Sequence, residues 1–344
     1  MHLRRYGYSG RQDKEFQSVI IPIPLYPCPA GEEVKVNLLF QADSLRKRAQ
    51  RRLHMKFEKK RFLLPLHFLL TATCFASPPH RVFSSLTKNL GSSRRLPETD
   101  CFSFAVIGDN QPKGTFGQPE VFKKILEEVN ESGVEFAVHL GDKISGSQDE
   151  KTVKKQYEEF FNTLAILKVK IYHTPGNHDV KGMGSSRELY RELFGEPYYS
   201  FSHKNAFFIV LNTEIAGEEG AVEGKQMEWL KSELEKAENY RDSFVFLHRP
   251  LFSAIFPGRD HIHCKLAGKR DRLASLLTEH NVKAVFAGHE HLYHAGNFKG
   301  LHQVISGGGG APFHFYPAGN FYHYLIVSIT EDSVRIEAVP VKAE

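Results

Sequence analysis

The sequence predicts an α+β protein in which β-sheets are covered by helices. Apolar runs rich in β-branched and aromatic residues alternate with segments of helical spacing, the pattern of sheets flanked by helices. The apolar runs also break abruptly into polar or glycine-rich tips. Finally, the last two runs follow one another closely, as in an antiparallel hairpin.

The alternation begins near Cys101. "FSFAVIGDNQ" reads as a strand ending in Gly-Asp, and "VFKKILEEVNESG" as a helix stopped by glycine. "VEFAVHLGD" is a second strand with the same Gly-Asp ending, "EKTVKKQYEEFFNTLAILK" a second helix, and "VKIYHTPGNHD" a third strand that ends in a Pro-Gly turn. "AFFIVLNTE" is the next strand, and the helix "GKQMEWLKSELEKAE" precedes "SFVFLHRP". "VKAVFAGHEH" and "HQVISGGGG" are further strands with polar or glycine-rich tips, and "FYHYLIVSIT" with "SVRIEAVPVK" forms the hairpin.

The N-terminal part is of another kind. The chain has 344 residues and a net charge of +5. Its first 100 residues hold 18 Lys+Arg against 8 Asp+Glu, and the remaining 244 hold 27 against 32. The basic excess is therefore N-terminal, and the body has none of the surplus expected of a nucleic-acid binder. From Met55, a basic head (Lys56, Lys59, Lys60, Arg61) leads into the apolar run Phe62 to Phe75 and small residues at Cys74 and Ala76. This order predicts a signal peptide over 55–76, cleaved after about Ala76. The run is too short for a comfortable membrane span. Residues 1–54 then read as a non-native or disordered extension, with Met55 the expected start, and 77–100 as a linker to a domain over 101–344. The expected location is outside the cytoplasm, in a bacterial periplasm or envelope. Cys28, Cys74, Cys101 and Cys264 form no CxxC pair, so thiolate zinc knuckles are not expected. Pairing of Cys101 with Cys264 stays open.

Five strand ends carry polar cargo: Asp109-Asn110-Gln111, Asp142, Asn177-His178-Asp179, His248, and His289-Glu290-His291. Ligands gather at strand ends in such sheets. Carboxylate, amide and imidazole donors without thiolate suit Mn, Fe or Zn, and the carboxylates also admit Mg. His289 and His291, read as an extended segment, share a face about 6–7 Å apart. Each piece has a plainer reading: Asp109 and Asp142 as helix caps, the histidines as loop residues. Their joint order is what argues for a site.

That order, Gly-Asp, Gly-Asp, Gly-Asn-His-Asp, His, Gly-His-x-His, resembles the calcineurin-like metallophosphoesterase superfamily over about residues 102–306. The resemblance implies an αββα sandwich of two mixed sheets flanked by helices, with two metal ions, divalent or trivalent, at the strand ends. It implies that Asp109 and His291 bind the first metal, Asp142 bridges both, and Asn177, His248 and His289 bind the second. His178 would face the substrate phosphate and assist the leaving oxygen, with Asp179 orienting or charge-supporting it. The usual Asp-x-His of the first motif is here Asp109-Asn110-Gln111, so Gln111 is the ligand in question. Asn110 and Arg249 are candidate substrate contacts, as are Arg259, His261 and His263 on the segment after His248. Gly307–Gly310 offers backbone N–H groups to an anion, or is a plain loop.

The implied activity is hydrolysis of a small-molecule phosphomonoester by a metal-bound hydroxide. A phosphodiesterase on the same site, and a non-catalytic binding protein on this fold, are the alternatives.

Overall fold

The computed structural model describes residues 100–181, 184–255, 267–314 and 319–343. The expected extension, signal peptide and linker up to residue 99 lie outside these residues, as do Arg259, His261, His263 and Cys264.

Apolar runs that alternate with amphipathic segments fold here as β1 (Phe102–Ile107), α1 (Glu120–Glu131), β2 (Phe136–His139), α2 (Glu150–Leu164) and β3 (Lys170–His173). Then come α3 (Gly184–Phe194), β4 (Tyr199–His203), β5 (Ala206–Val210), α4 (Gly224–Ala237), β6 (Asp242–Leu247) and α5 (Ala267–Glu279). The chain continues with β7 (Ala284–Ala287), β8 (Tyr293–Phe298), β9 (Leu301–Ser306), β10 (His323–Ile329) and β11 (Val334–Pro340).

The strands form two mixed sheets, ordered β11-β10-β1-β2-β3 and β4-β5-β6-β7-β9-β8. Strands β1, β2 and β3 run parallel, as do β5, β6, β7 and β9. The expected terminal hairpin is β10–β11, antiparallel, which joins the first sheet beside β1.

Period-two alternation gives each sheet two apolar faces. The inner faces meet in a layer of phenylalanines: Phe104 and Phe136 stack at 5.2 Å, and Phe104 meets Phe208, Phe244, Phe246 and Phe286 edge-on. The outer face of the first sheet is covered by α1 and α2 through Phe122, Ile125, Val153 and Phe160. The outer face of the second is covered by α4 and α5 through Leu230, Leu234, Leu273 and Leu277. The result is the four-layer αββα sandwich. No helix among the described residues is long and apolar enough to cross a membrane.

Candidate metal centre

Both parallel strand sets end on the same side, and backbone bonds extend the ladders into the tips. Leu140 N–H donates to Ile107 O, Asp109 N–H to Gly141 O, and Gln111 N–H to Asp142 O. In the second sheet, Gly288 N–H donates to His248 O. Three tip residues are held in the left-handed region: Asp109 at φ 60°, Asp142 at φ 57° and His289 at φ 69°. Each such non-glycine conformation costs on the order of 1–3 kcal/mol, and this kind of strain collects at functional sites. Gly176 is required here, since a Cβ would collide with the Asp142 backbone nitrogen and carboxylate.

The tips bring their side chains together in two groups. Asp142, His248 and His289 form one; Asp109, Asp142 and His291 form the other. Within each group the donor atoms lie within 4.8 Å of one another. Asn177 joins the first group, with its Oδ1 3.0 Å from His248 Nε2. Gln111 joins the second, with its Nε2 3.0 Å from His291 Nε2 and 3.3 Å from Asp142 Oδ2.

The histidines are oriented from behind. His248 Nδ1 donates to Leu140 O at 2.9 Å and His291 Nδ1 to Pro312 O at 2.6 Å, so each turns Nε2 toward the carboxylates. The segment carrying His289 and His291 is not extended, as its alternation suggested. Glu290 N–H donates to Gly288 O and Leu292 N–H to Glu290 O, making consecutive tight turns. The turning force is Glu290, fully buried, whose carboxylate accepts from the Ser253 hydroxyl and from Ala254 and Ile255 N–H. The two histidines are thereby sent to different groups.

The electrostatics call for cations. Burial raises the Asp109 carboxyl well above its usual range, and Asp142 beside it adds to the effect. Burial would also raise Asp142, but the charge and hydrogen bond of His248 hold it below the ordinary range. Burial lowers His248, yet Asp142 overrides this and pushes it up to about 9. His291 is lowered to about 4 by burial and stays a neutral donor. Gln111 Oε1 is buried with no hydrogen-bond partner. A half-turn of its amide would place this acceptor, instead of Nε2, toward Asp142 and His291. Two buried carboxyl groups, imidazole nitrogens turned toward them and an unpartnered amide oxygen are a donor set that fits divalent metal ions, which would take the place of the His248 proton beside Asp142.

Several expected roles are redrawn. Asp179 does not touch the His178 ring. It is fully buried and accepts from Asp142, Lys143 and Gly176 N–H and from Lys143 Nζ. It clamps the third tip to the second, and the His178 ring instead donates Nδ1–H to Ser145 O at 2.7 Å. Asn110, a candidate substrate contact, is fully buried and its amide is bonded internally. Its Oδ1 accepts from His139 Nε2, whose Nδ1 takes the Gly141 N–H, and its Nδ2 donates to Gln118 Oε1 and Lys143 O. Arg249 reaches the edge of the centre, 3.5 Å from His289 Nε2, with its guanidinium held bidentately by Glu214. Gly307 and Gly309 donate their N–H groups to Leu292 O and Gly108 O, so the glycine run serves close packing. Lys143, Ser145 and Glu214 were not singled out in the sequence, and Glu290 was named only as part of its strand tip, between two candidate ligand histidines.

The model of the calcineurin-like phosphoesterase family matches residues 102–293, and the chain belongs to that family. Among its relatives, it is 28% identical to the Rattus norvegicus serine/threonine-protein phosphatase CPPED1 over 180 residues, 50% of this chain and 58% of that protein. The chain thus spans under two thirds of that relative's length. It is 26% identical to the Sus scrofa tartrate-resistant acid phosphatase type 5 over 255 residues, 63% of this chain and 72% of that one. The fold is shared with the purple acid phosphatase PPD1 of yellow lupin (TM-score 0.57, 17% identity, 70% of this chain and 51% of that one). It is also shared with a Danio rerio dimetal phosphatase (TM-score 0.54, 16% identity, 70% and 98%).

Proposed function

We propose that the chain is a dinuclear metal-dependent phosphomonoesterase. The observation that carries this reading is that Asp142 belongs to both donor groups. One carboxylate common to two clusters is what a pair of ions sharing a ligand needs. In this reading Asp109, Asp142, His291 and the carbonyl oxygen of Gln111 hold one ion, and Asp142, Asn177, His248 and His289 hold the other. When bound, the ions supply Lewis-acid charge to a phosphoryl group and acidify water.

The chain's own residues do the rest. Asp142 keeps its charge between the two groups. The Ser145 carbonyl holds the Nδ1 proton of His178, which makes Nε2 the atom that passes a proton to the leaving oxygen. Glu214 fixes Arg249 at the rim, a cation for the substrate phosphate.

The rat and pig relatives, both phosphatases, support a monoester substrate. The fold alone does not, since it is also that of GAP50, the anchor in the inner membrane complex of Plasmodium (TM-score 0.51, 15% identity, covering 70% of this chain and 84% of that one). Export belongs to the same proposal, supported by the basic, apolar and small-residue order of 56–76.

The test measures metal content and turnover of p-nitrophenyl phosphate against bis-p-nitrophenyl phosphate. Two ions per chain, with the monoester preferred and activity lost to a chelator, are expected. Preference for the diester replaces the reading by a phosphodiesterase, and full turnover in metal-stripped protein overturns it.

A further inference from the structure

A groove of about 380 Å³ lies beside the centre, lined by Pro112, Lys113, Phe116, Pro119, Pro312 and Tyr322 among others. Its size falls at the small end of small-molecule sites, roughly 300–1,000 Å³. The groove is built from the two segments that leave the centre. Pro112 directly follows Gln111, and Pro312 holds His291 through its carbonyl.

One residue joins the groove to the leaving-group side of the reaction. The backbone carbonyl of Ser145 takes the Nδ1 proton of His178, and its hydroxyl donates to Gly114 O at 2.5 Å and Pro112 O at 3.1 Å. The histidine assigned to the leaving oxygen and the groove wall therefore share a support.

The wall is fixed in advance. Gln156 Nε2 donates to Thr115 O at 2.7 Å, and Gly117 N–H to Glu159 Oε2 at 2.6 Å. Phe116 is 44% exposed, against the burial usual for phenylalanine, and Lys155 Nζ sits 4.5 Å above its ring centre. Keeping such a ring at the surface costs apolar burial, and it shares the groove lining with three prolines and a tyrosine.

We propose that this groove is the leaving-group subsite and that it takes an aromatic ring, so that aryl phosphate monoesters are preferred over small alkyl ones. The proposal rests on the phosphomonoesterase reading and narrows it. In the step, water oxygen bonds to phosphorus as the phosphorus–aryloxy bond breaks. The bond's electron pair leaves on the aryl oxygen, which is protonated to the phenol, and inorganic phosphate is released. Proline and phenylalanine faces favour a flat ring over a flexible polar alcohol. Lys113, in the same lining, adds positive charge beside a dianionic substrate.

The experiment uses the full chain loaded with Mn. Phenylphosphonate and methylphosphonate, which carry no leaving group to confuse binding with reactivity, are compared as competitive inhibitors of glycerol 2-phosphate hydrolysis. Phenylphosphonate is expected to bind more tightly. Phe116→Ala should weaken it roughly 3–10-fold, the range of one aromatic contact. Methylphosphonate, which has no group that reaches the groove, should inhibit both proteins equally, and this unchanged inhibition also shows that the variant is folded. Equal affinities in the unaltered protein, or an unchanged ratio in Phe116→Ala, overturn the subsite while leaving the phosphomonoesterase intact. Absence of turnover of both glycerol 2-phosphate and phenyl phosphate overturns that reading itself, and the subsite with it.

Discussion

Lys143 Nζ lies 2.8 Å from Asp179 Oδ2, and both side chains are wholly buried. The ammonium also donates to Thr174 O and sits over the rings of Tyr190 and Phe194. The pair bolts the second strand tip to the third directly behind Asp142.

Asp179→Ala removes one partner of this pair and leaves a buried, unpaired ammonium. The expected cost is about 3–5 kcal/mol, the range for breaking a buried ion pair. Denaturant unfolding of the metal-free variant checks it. A turnover defect with unchanged stability would instead return Asp179 to the service of His178.

Asp142→Asn should lower metal content and turnover together, because an amide brings no negative charge to either donor group. Elemental analysis beside a rate measurement decides. Full metal content with a normal rate would reduce Asp142 to a structural turn residue.

His178→Ala should keep both ions and slow turnover by roughly 10²–10⁴-fold, the range for a lost general acid. Its ring is tied to Ser145 O and belongs to neither donor group. Loss of metal in this variant would show that His178 is a ligand.

Gln111→His should tighten binding at the Asp109–Asp142–His291 group, since imidazole is a better donor than a neutral amide to Mn, Fe or Zn. The other group should be little changed. The readout is a metal titration resolved by site. Equal affinities in the two proteins would place Gln111 outside the ligand shell.

The sandwich was legible wherever an apolar run met a polar tip. Val106-Ile107 before Gly108-Asp109, and Ala287 before Gly288-His289, announce strand and site together. Strand β8 left no such mark. Its residues, Tyr-His-Ala-Gly-Asn-Phe, are mixed strand formers, and pairing with β9 overrides their preference. Helix α3 opens on Gly184-Ser185-Ser186, which are weak helix formers, and α5 lacks a sharp apolar stripe. The donor residues were visible as types; their supports were not. Asp179 meets Lys143 across 36 positions and Asn110 meets His139 across 29, and no local pattern encodes such a partner. A carboxylate beside a histidine in sequence points elsewhere when the turn between them reverses the chain.

The phenylalanine layer between the sheets acts as a gauge block. Asp109 and Asp142 stand on one sheet, and His248, His289 and His291 on the other, so the thickness of that layer sets the distance across which each donor group must close. Thinning it, as with Phe104→Leu, alters the centre's dimensions without touching a donor. Conversely, an ion held by donors from both sheets rivets the two halves of the sandwich. Cation binding then becomes resistance to unfolding that grows with the logarithm of cation concentration.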